Sequence, residues 1–185
     1  GYASLVISES YILIAIAFVA VTVTFFAVKF KLFTQIDSIE RESWGIFFLA
    51  VSYLILLLLF IKENREIVFT SMIILAFSDS FAALAGNNFG KKFFSLTRDK
   101  KSFLGSTVFL LTTYTTIVVA IPNFFDFSNS PQYLWLSAIV IALILTMFEA
   151  ISSKGFDNFT VPVFGSLLLY ILFVQNQSEY LNSLL

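Results

Sequence analysis

The sequence predicts an all-α membrane protein, a polytopic bundle of about six transmembrane helices whose polar groups gather at one face. Three observations carry that expectation. Of 185 residues, 58% are hydrophobic and only 12% are charged, about half the 25% that soluble domains carry. Mean hydropathy is +0.91. Six apolar stretches also come close to the roughly 20 residues that a bilayer crossing needs. They lack the period-2 alternation of barrel strands, which leaves helices as the spanning structure.

The stretches run approximately over residues 11–30, 44–61, 67–86, 103–121, 134–151 and 159–174. The first is too long and too polar-flanked for a cleavable signal, and no small-residue cleavage site follows it. The second opens at Trp44, a candidate interfacial belt residue. The third carries Asp79 among Ala76, Phe77, Phe81 and Ala82, and leads into Gly86-Asn87-Asn88-Phe89-Gly90-Lys91-Lys92. The fourth follows Lys100-Lys101-Ser102, where Ser102 can cap the helix. The fifth ends near Glu149, and the sixth follows the turn Asp157-Asn158. The spans fill well over half the chain, so one domain is expected over residues 1–185. A start at Gly1 without Met fits a trimmed N-terminus.

Charge sets the expected orientation. Lys29, Lys31 and Arg41, then Lys91, Lys92, Arg98, Lys100 and Lys101, then Lys154 all fall on one side. Only Lys62 and Arg65 fall on the other. By the positive-inside rule the first side is cytoplasmic, with both termini outside.

The absences restrict the chemistry. With no Cys and no His, thiolate nucleophiles, imidazole metal sites and Ser-His-Asp triads are excluded. A net charge of −1 gives no sign of a nucleic-acid surface. What remains is carboxylates, lysines, hydroxyls and amides, with a hard cation such as Mg²⁺.

Ionisable residues inside spans are functional candidates by default. Asp79 is the foremost, against a structural polar contact between helices. Glu149 has an equal reading as an interfacial carboxylate reaching headgroups. The loop from Gly86 to Lys92 is loosely similar to a phosphate loop, but it is one residue short of the Walker spacing and has Lys92 where Ser or Thr binds magnesium. Its bland reading is a helix-ending loop obeying the charge rule. Lys100 and Lys101 beside the N-terminus of the fourth helix suit an anion, or equally a basic anchor on lipid. Asp157 and Asn158 offer oxygen ligands to Mg²⁺, and are also ordinary turn chemistry. Topology favours the functional readings. Asp79, the Gly/Lys loop, Lys101, Glu149, Asp157-Asn158 and Glu42-Ser43 are all expected on the cytoplasmic side. An active site at that face, open to lipid on its flank and taking a phosphorylated, Mg²⁺-bound ligand, is the economical expectation.

These residues resemble a family. Asp79-Ser80-Phe81-Ala82-Ala83-Leu84-Ala85-Gly86 with Phe89-Gly90-Lys91 is similar to the Asp-x-x-Ala-x-x-x-Gly-x-x-Phe/Tyr-Gly segment of membrane polyprenol kinases: the phytol, farnesol and dolichol kinases and CTP-dependent diacylglycerol kinases. Lys101-Ser102-x-x-Gly105-Ser106 resembles their Lys-Ser-x-x-Gly-Ser segment. Asp157-Asn158-Phe159-Thr160-Val161-Pro162 resembles their Asp-Asn-Leu-Thr-Val-Pro segment, with Glu149 at the place of a preceding Glu. Glu42-Ser43-Trp44-Gly45 is similar to an upstream Lys/Glu-Ser-x-Gly piece. Four ordered motifs span residues 41–165. Ser78 departs from the usual Gly, Leu104 from a common Glu, and an N-terminal basic-His segment is absent.

The resemblance implies an integral membrane, multi-pass enzyme that transfers phosphate from a nucleoside triphosphate, characteristically CTP with Mg²⁺, to a lipid alcohol or diacylglycerol. It implies that Asp79 orients or deprotonates the alcohol or holds Mg²⁺, and that Asp157 and Asn158 hold Mg²⁺. Lys91, Lys100 and Lys101 would neutralise phosphates. Gly86, Gly90, Ser102 and Gly105 would shape the nucleotide site, supported by Glu42, Ser43 and Glu149. The nearest rival is a CDP-lipid synthase of the phosphatidate cytidylyltransferase kind, whose closing motif contains a His that this chain lacks. A small membrane transporter would use Asp79 for ion coupling, but no inverted repeat is visible. A non-catalytic membrane scaffold completes the alternatives.

Overall fold

Apolar side chains surround each helix rather than forming one stripe, so most side chains must face either lipid or another helix. The computed structural model describes residues 10–31, 44–97, 99–125 and 131–175. Six helices account for nearly all of them: α1 (Ser10–Lys29), α2 (Gly45–Phe60), α3 (Arg65–Phe89), α4 (Phe103–Ala120), α5 (Pro131–Ile151) and α6 (Asp157–Leu169). A 3₁₀ turn, Ile121–Asn123, extends α4, and a π-helical turn, Tyr170–Gln175, extends α6. The chain is an all-α polytopic membrane protein. Five helices with these extensions are long and apolar enough to cross a membrane. The exception is α2, whose 16 residues reach about 24 Å at about 1.5 Å per residue, short of a core of roughly 30 Å.

Two boundaries differ from the expectation in ways that matter below. The third helix does not end at Gly86 but runs on through Asn87 and Asn88 to Phe89, so Gly86 lies on a helix face. The sixth begins at Asp157, so Asp157 and Asn158 form its first turn, where a carboxylate complements the helix dipole. Between α3 and α4 lies a hairpin absent from the sequence expectation. Its strands, β1 (Phe93–Phe94) and β2 (Lys101–Ser102), pair antiparallel with Phe93 opposite Ser102 and Phe94 opposite Lys101.

The most extensive helix contact joins α3 to α4. Ser78, Ala82 and Gly86 recur every fourth residue on the buried face of α3, a small-residue seam that lets helices approach closely in lipid. Gly105, Phe109 and Thr113 form the matching buried face of α4. The Thr113 hydroxyl donates to Ser78 Oγ at 2.9 Å, and a Cβ on Gly86 would sit 3.6 Å from the Gly105 Cα. α6 packs against α2, α3 and α5, while α1 packs chiefly on α2. Leu56, Ile74, Phe109, Ile141, Leu145 and Leu169 form the fully buried centre.

Pro162 lies inside α6 and has no N–H for the carbonyl four residues back, that of Asn158. In lipid an unsatisfied carbonyl is costly. Ser52 of α2 answers it: its hydroxyl donates to the Asn158 carbonyl at 2.9 Å and lies equally close to its own Leu49 carbonyl. The Asn158 side chain adds a second tie, its Nδ2 donating to the Gly45 carbonyl at 3.1 Å. Ser52→Ala is therefore expected to destabilise the detergent-solubilised protein by about 1–3 kcal/mol, read as a lower Tm. In a Pro162→Ala background, where the helix supplies the N–H itself, the same substitution should have a smaller effect.

Candidate functional site

The site lies at the hairpin end of the bundle, where Lys29, Lys31, Lys91, Lys92, Lys100, Lys101 and Lys154 also lie, against Lys62 and Arg65 at the other end among the described residues. It is built from the seam outward. Ser102, the last residue of β2, caps α4: its Oγ accepts from the Gly105 N–H at 2.9 Å. Three glycines enclose that hydroxyl. A Cβ on Gly86 would come within 2.7 Å of Ser102 Oγ, and one on Gly105 within 2.9 Å of it and 3.1 Å of the Ala82 carbonyl. A Cβ on Gly90 would collide with the Gly86 carbonyl and lie 2.9 Å from Ser102 Cβ. The glycines let the end of α3, the hairpin and the start of α4 meet around one serine.

Successive residues of a strand point to opposite sides. With Ser102 turned into the seam, Lys101 points the other way and Lys100 stays exposed. The Lys101 ammonium donates to Glu149 Oε1 at 2.5 Å and to Asp157 Oδ2 at 3.3 Å. The three side chains are 19%, 6% and 15% exposed respectively. Asp79, half-buried on α3, lies within electrostatic range of Asp157, Lys101 and Glu149. Four elements thus bring three carboxylates to one ammonium. Among the described residues, Glu149 Oε2 is buried with no hydrogen-bond partner. Burial works against the Lys101 ammonium, yet Glu149 and Asp157 outweigh it and raise the lysine above its ordinary value.

The structure gathers Asp79, Lys101, Glu149 and Asp157, and groups Gly86, Gly90, Ser102 and Gly105 beside them in the seam. Lys91 and Lys100 are exposed on the hairpin flank. Asn158 is turned toward α2, as described above. Glu42 and Ser43 lie outside the described residues. Among the described residues no three acidic side chains converge closely enough to hold a metal ion unaided. An excess of carboxylate over ammonium together with an orphaned Glu149 oxygen nonetheless suits a divalent cation, and Mg²⁺ usually takes only one or two carboxylates, with phosphates and water completing its shell. Sequence reasoning missed the pairing of Lys101 with Glu149, which are 48 residues apart. The available signal was an acid and a lysine required at the same depth of the bundle. It also missed Ser52, for which the helix-interior Pro162 was the signal.

The chain is 26% identical over 143 residues to the phytol kinase of Synechocystis sp.. This similarity supports a family relationship with the polyprenol and phytol kinases. The match covers 77% of this chain, which spans 60% of the length of that relative. No protein-family model matches the chain, and no solved structure does.

Two outcomes follow for the cluster. Lys101→Met strands a buried Glu149 and is expected to cost about 3–5 kcal/mol of stability, measured by thermal or denaturant unfolding in detergent. Because the folded pKa of Lys101 is raised, the stability it adds is fully present below its unfolded value of about 10.4 and fades as pH rises through the folded one. The gap between wild type and variant should therefore narrow only in strong alkali. Gly86→Ala should lower Tm by displacing Ser102, and Ser102→Ala should partly relieve that clash.

Proposed function

We propose that the chain carries the catalytic part of a lipid-alcohol kinase that transfers phosphate from a nucleoside triphosphate, CTP by resemblance, to the hydroxyl of a polyprenol-type alcohol or diacylglycerol at the cytoplasmic face of the membrane. The observation that carries this reading is the Asp79–Lys101–Glu149–Asp157 cluster at the end of the bundle where the lysines gather. Similarity to a phytol kinase supports the same reading.

The reaction needs little covalent help from the protein. The alcohol oxygen attacks the γ-phosphorus, the bond to the β–γ bridging oxygen breaks, and the nucleoside diphosphate leaves with that electron pair. Asp79, on the lipid-spanning α3, would orient the alcohol and accept its proton, or would instead join Asp157 in holding Mg²⁺. Lys101 opposes charge on the transferring phosphate, with Glu149 fixing its position. Lys91 and Lys100 offer exposed charge to the outer phosphates. Asp157, joined by Asp79 in its second role, would hold Mg²⁺, which when bound would neutralise phosphate charge. Asn158 belongs to that set by resemblance, while its side-chain N–H is engaged by Gly45.

Purified protein with Mg²⁺, labelled CTP and a panel of lipid alcohols tests the proposal. CDP and a lipid monophosphate are the expected products, lost on chelation and reduced at least a hundredfold in Asp79→Asn. Pyrophosphate with a CDP-lipid would establish the cytidylyltransferase chemistry instead. Absence of any thermal protection by Mg·CTP would argue for a transporter or scaffold.

A further inference from the structure

Lys101 can serve the cluster only if the hairpin that carries it is held down, and two paired residues per strand are too few to hold it. A second tie exists. Asp99, two residues before Lys101, accepts the backbone N–H of Lys154 through Oδ2 at 2.8 Å. Lys154 lies in the connection between Glu149 on α5 and Asp157 on α6. The hairpin thus reaches the same short connection twice: Asp99 grips its backbone, and Lys101 reaches the carboxylates on either side.

The grip falls at an unusual point. Lys154 adopts φ 55° and Gly155 φ 79°, a left-handed pair that is sparsely populated for lysine. That turn sets the course of the chain from Glu149 to Asp157. A carboxylate accepting the Lys154 amide favours the turn and fixes its distance from β2 at once.

We propose that Asp99 is a positioning residue of the phosphoryl-transfer site, latching the hairpin to the α5–α6 turn so that Lys101 stays between Glu149 and Asp157. Its turnover effect rests on the kinase reading; its structural effect does not. The bond is exposed, so the latch contributes little to overall stability, and its loss is felt in alignment. Small misplacements of charge at a reacting phosphate are disproportionately costly to rate.

The test uses the full chain in detergent with Mg·CTP and lipid alcohol, comparing Asp99→Ala and Asp99→Asn. Asp99→Ala should lower kcat about tenfold or more while nucleotide KM and Tm change little. Amide exchange should quicken at Lys154 and also at Phe103, the first residue of α4, whose N–H closes the hairpin by donating to the Lys92 carbonyl. Asp99→Asn keeps an acceptor oxygen and should recover most of both the rate and the protection. Faster exchange at Lys154 with an unchanged hairpin would reduce Asp99 to a turn cap and overturn the proposal. An Asn variant as slow as the Ala variant would overturn it too, by assigning the effect to charge. If the wild type transfers no phosphate, the kinase reading falls, and unchanged Phe103 exchange in Asp99→Ala would separately overturn the latch.

Discussion

A single ammonium between two carboxylates sets the terms for this end of the bundle. Lys101 arrives on a hairpin, Glu149 at the end of α5 and Asp157 at the start of α6. In a site of low dielectric none of the three is tolerable alone. The hairpin must therefore close onto the bundle, α5 must carry Glu149 to that depth, and the turn must return Asp157 to the same place. Asp79 joins from α3 without a salt bridge to Lys101. Its contribution is a third carboxylate near the pair, which the proposed binding of a cation and a phosphate would use.

The motif residues divide into three kinds of work. Gly86, Gly90, Ser102 and Gly105 make a close crossing, with one serine hydroxyl at its centre and no room for a Cβ around it. Asn158 and Pro162 tie α6 to α2, Pro162 by freeing the carbonyl that Ser52 then binds. Lys101, Glu149 and Asp157 carry charge. Residues that a motif sets side by side, such as Lys101 and Ser102 or Asp157 and Asn158, face opposite duties because strand and helix turn neighbours apart.

Much of this was legible before the structure. Runs of about twenty apolar residues announce spanning helices because backbone groups in lipid must bond internally, and cation placement separated the two ends. Asp79 stood out as an acid in an apolar run. The hairpin did not, since two residues per strand leave no periodic trace. Nor did the extension of α3 past Gly86, where Gly-Asn-Asn reads as a helix stop but the seam with α4 outweighs local preference. The Lys101–Glu149 pair is a matter of depth and rotation across 48 residues, which composition and spacing do not encode. Asn158 shows the opposite case: its oxygen-ligand chemistry was visible, but its partner Gly45 lies 113 residues away.

The central claim is that the cluster exists for chemistry and not only for holding the hairpin. The Lys101→Met/Glu149→Gln/Asp157→Asn triple variant separates the two, because neutralising the ammonium together with both of its carboxylate partners leaves none of the three charges stranded and is often neutral for stability. Its Tm and its rate of lipid phosphate formation, measured on the same preparation, are the direct test. Near-wild-type Tm with phosphate transfer reduced at least a hundredfold is the expected result. Near-wild-type transfer in that variant would mean that the lysine and its two carboxylate partners only hold the fold, and would contradict the claim.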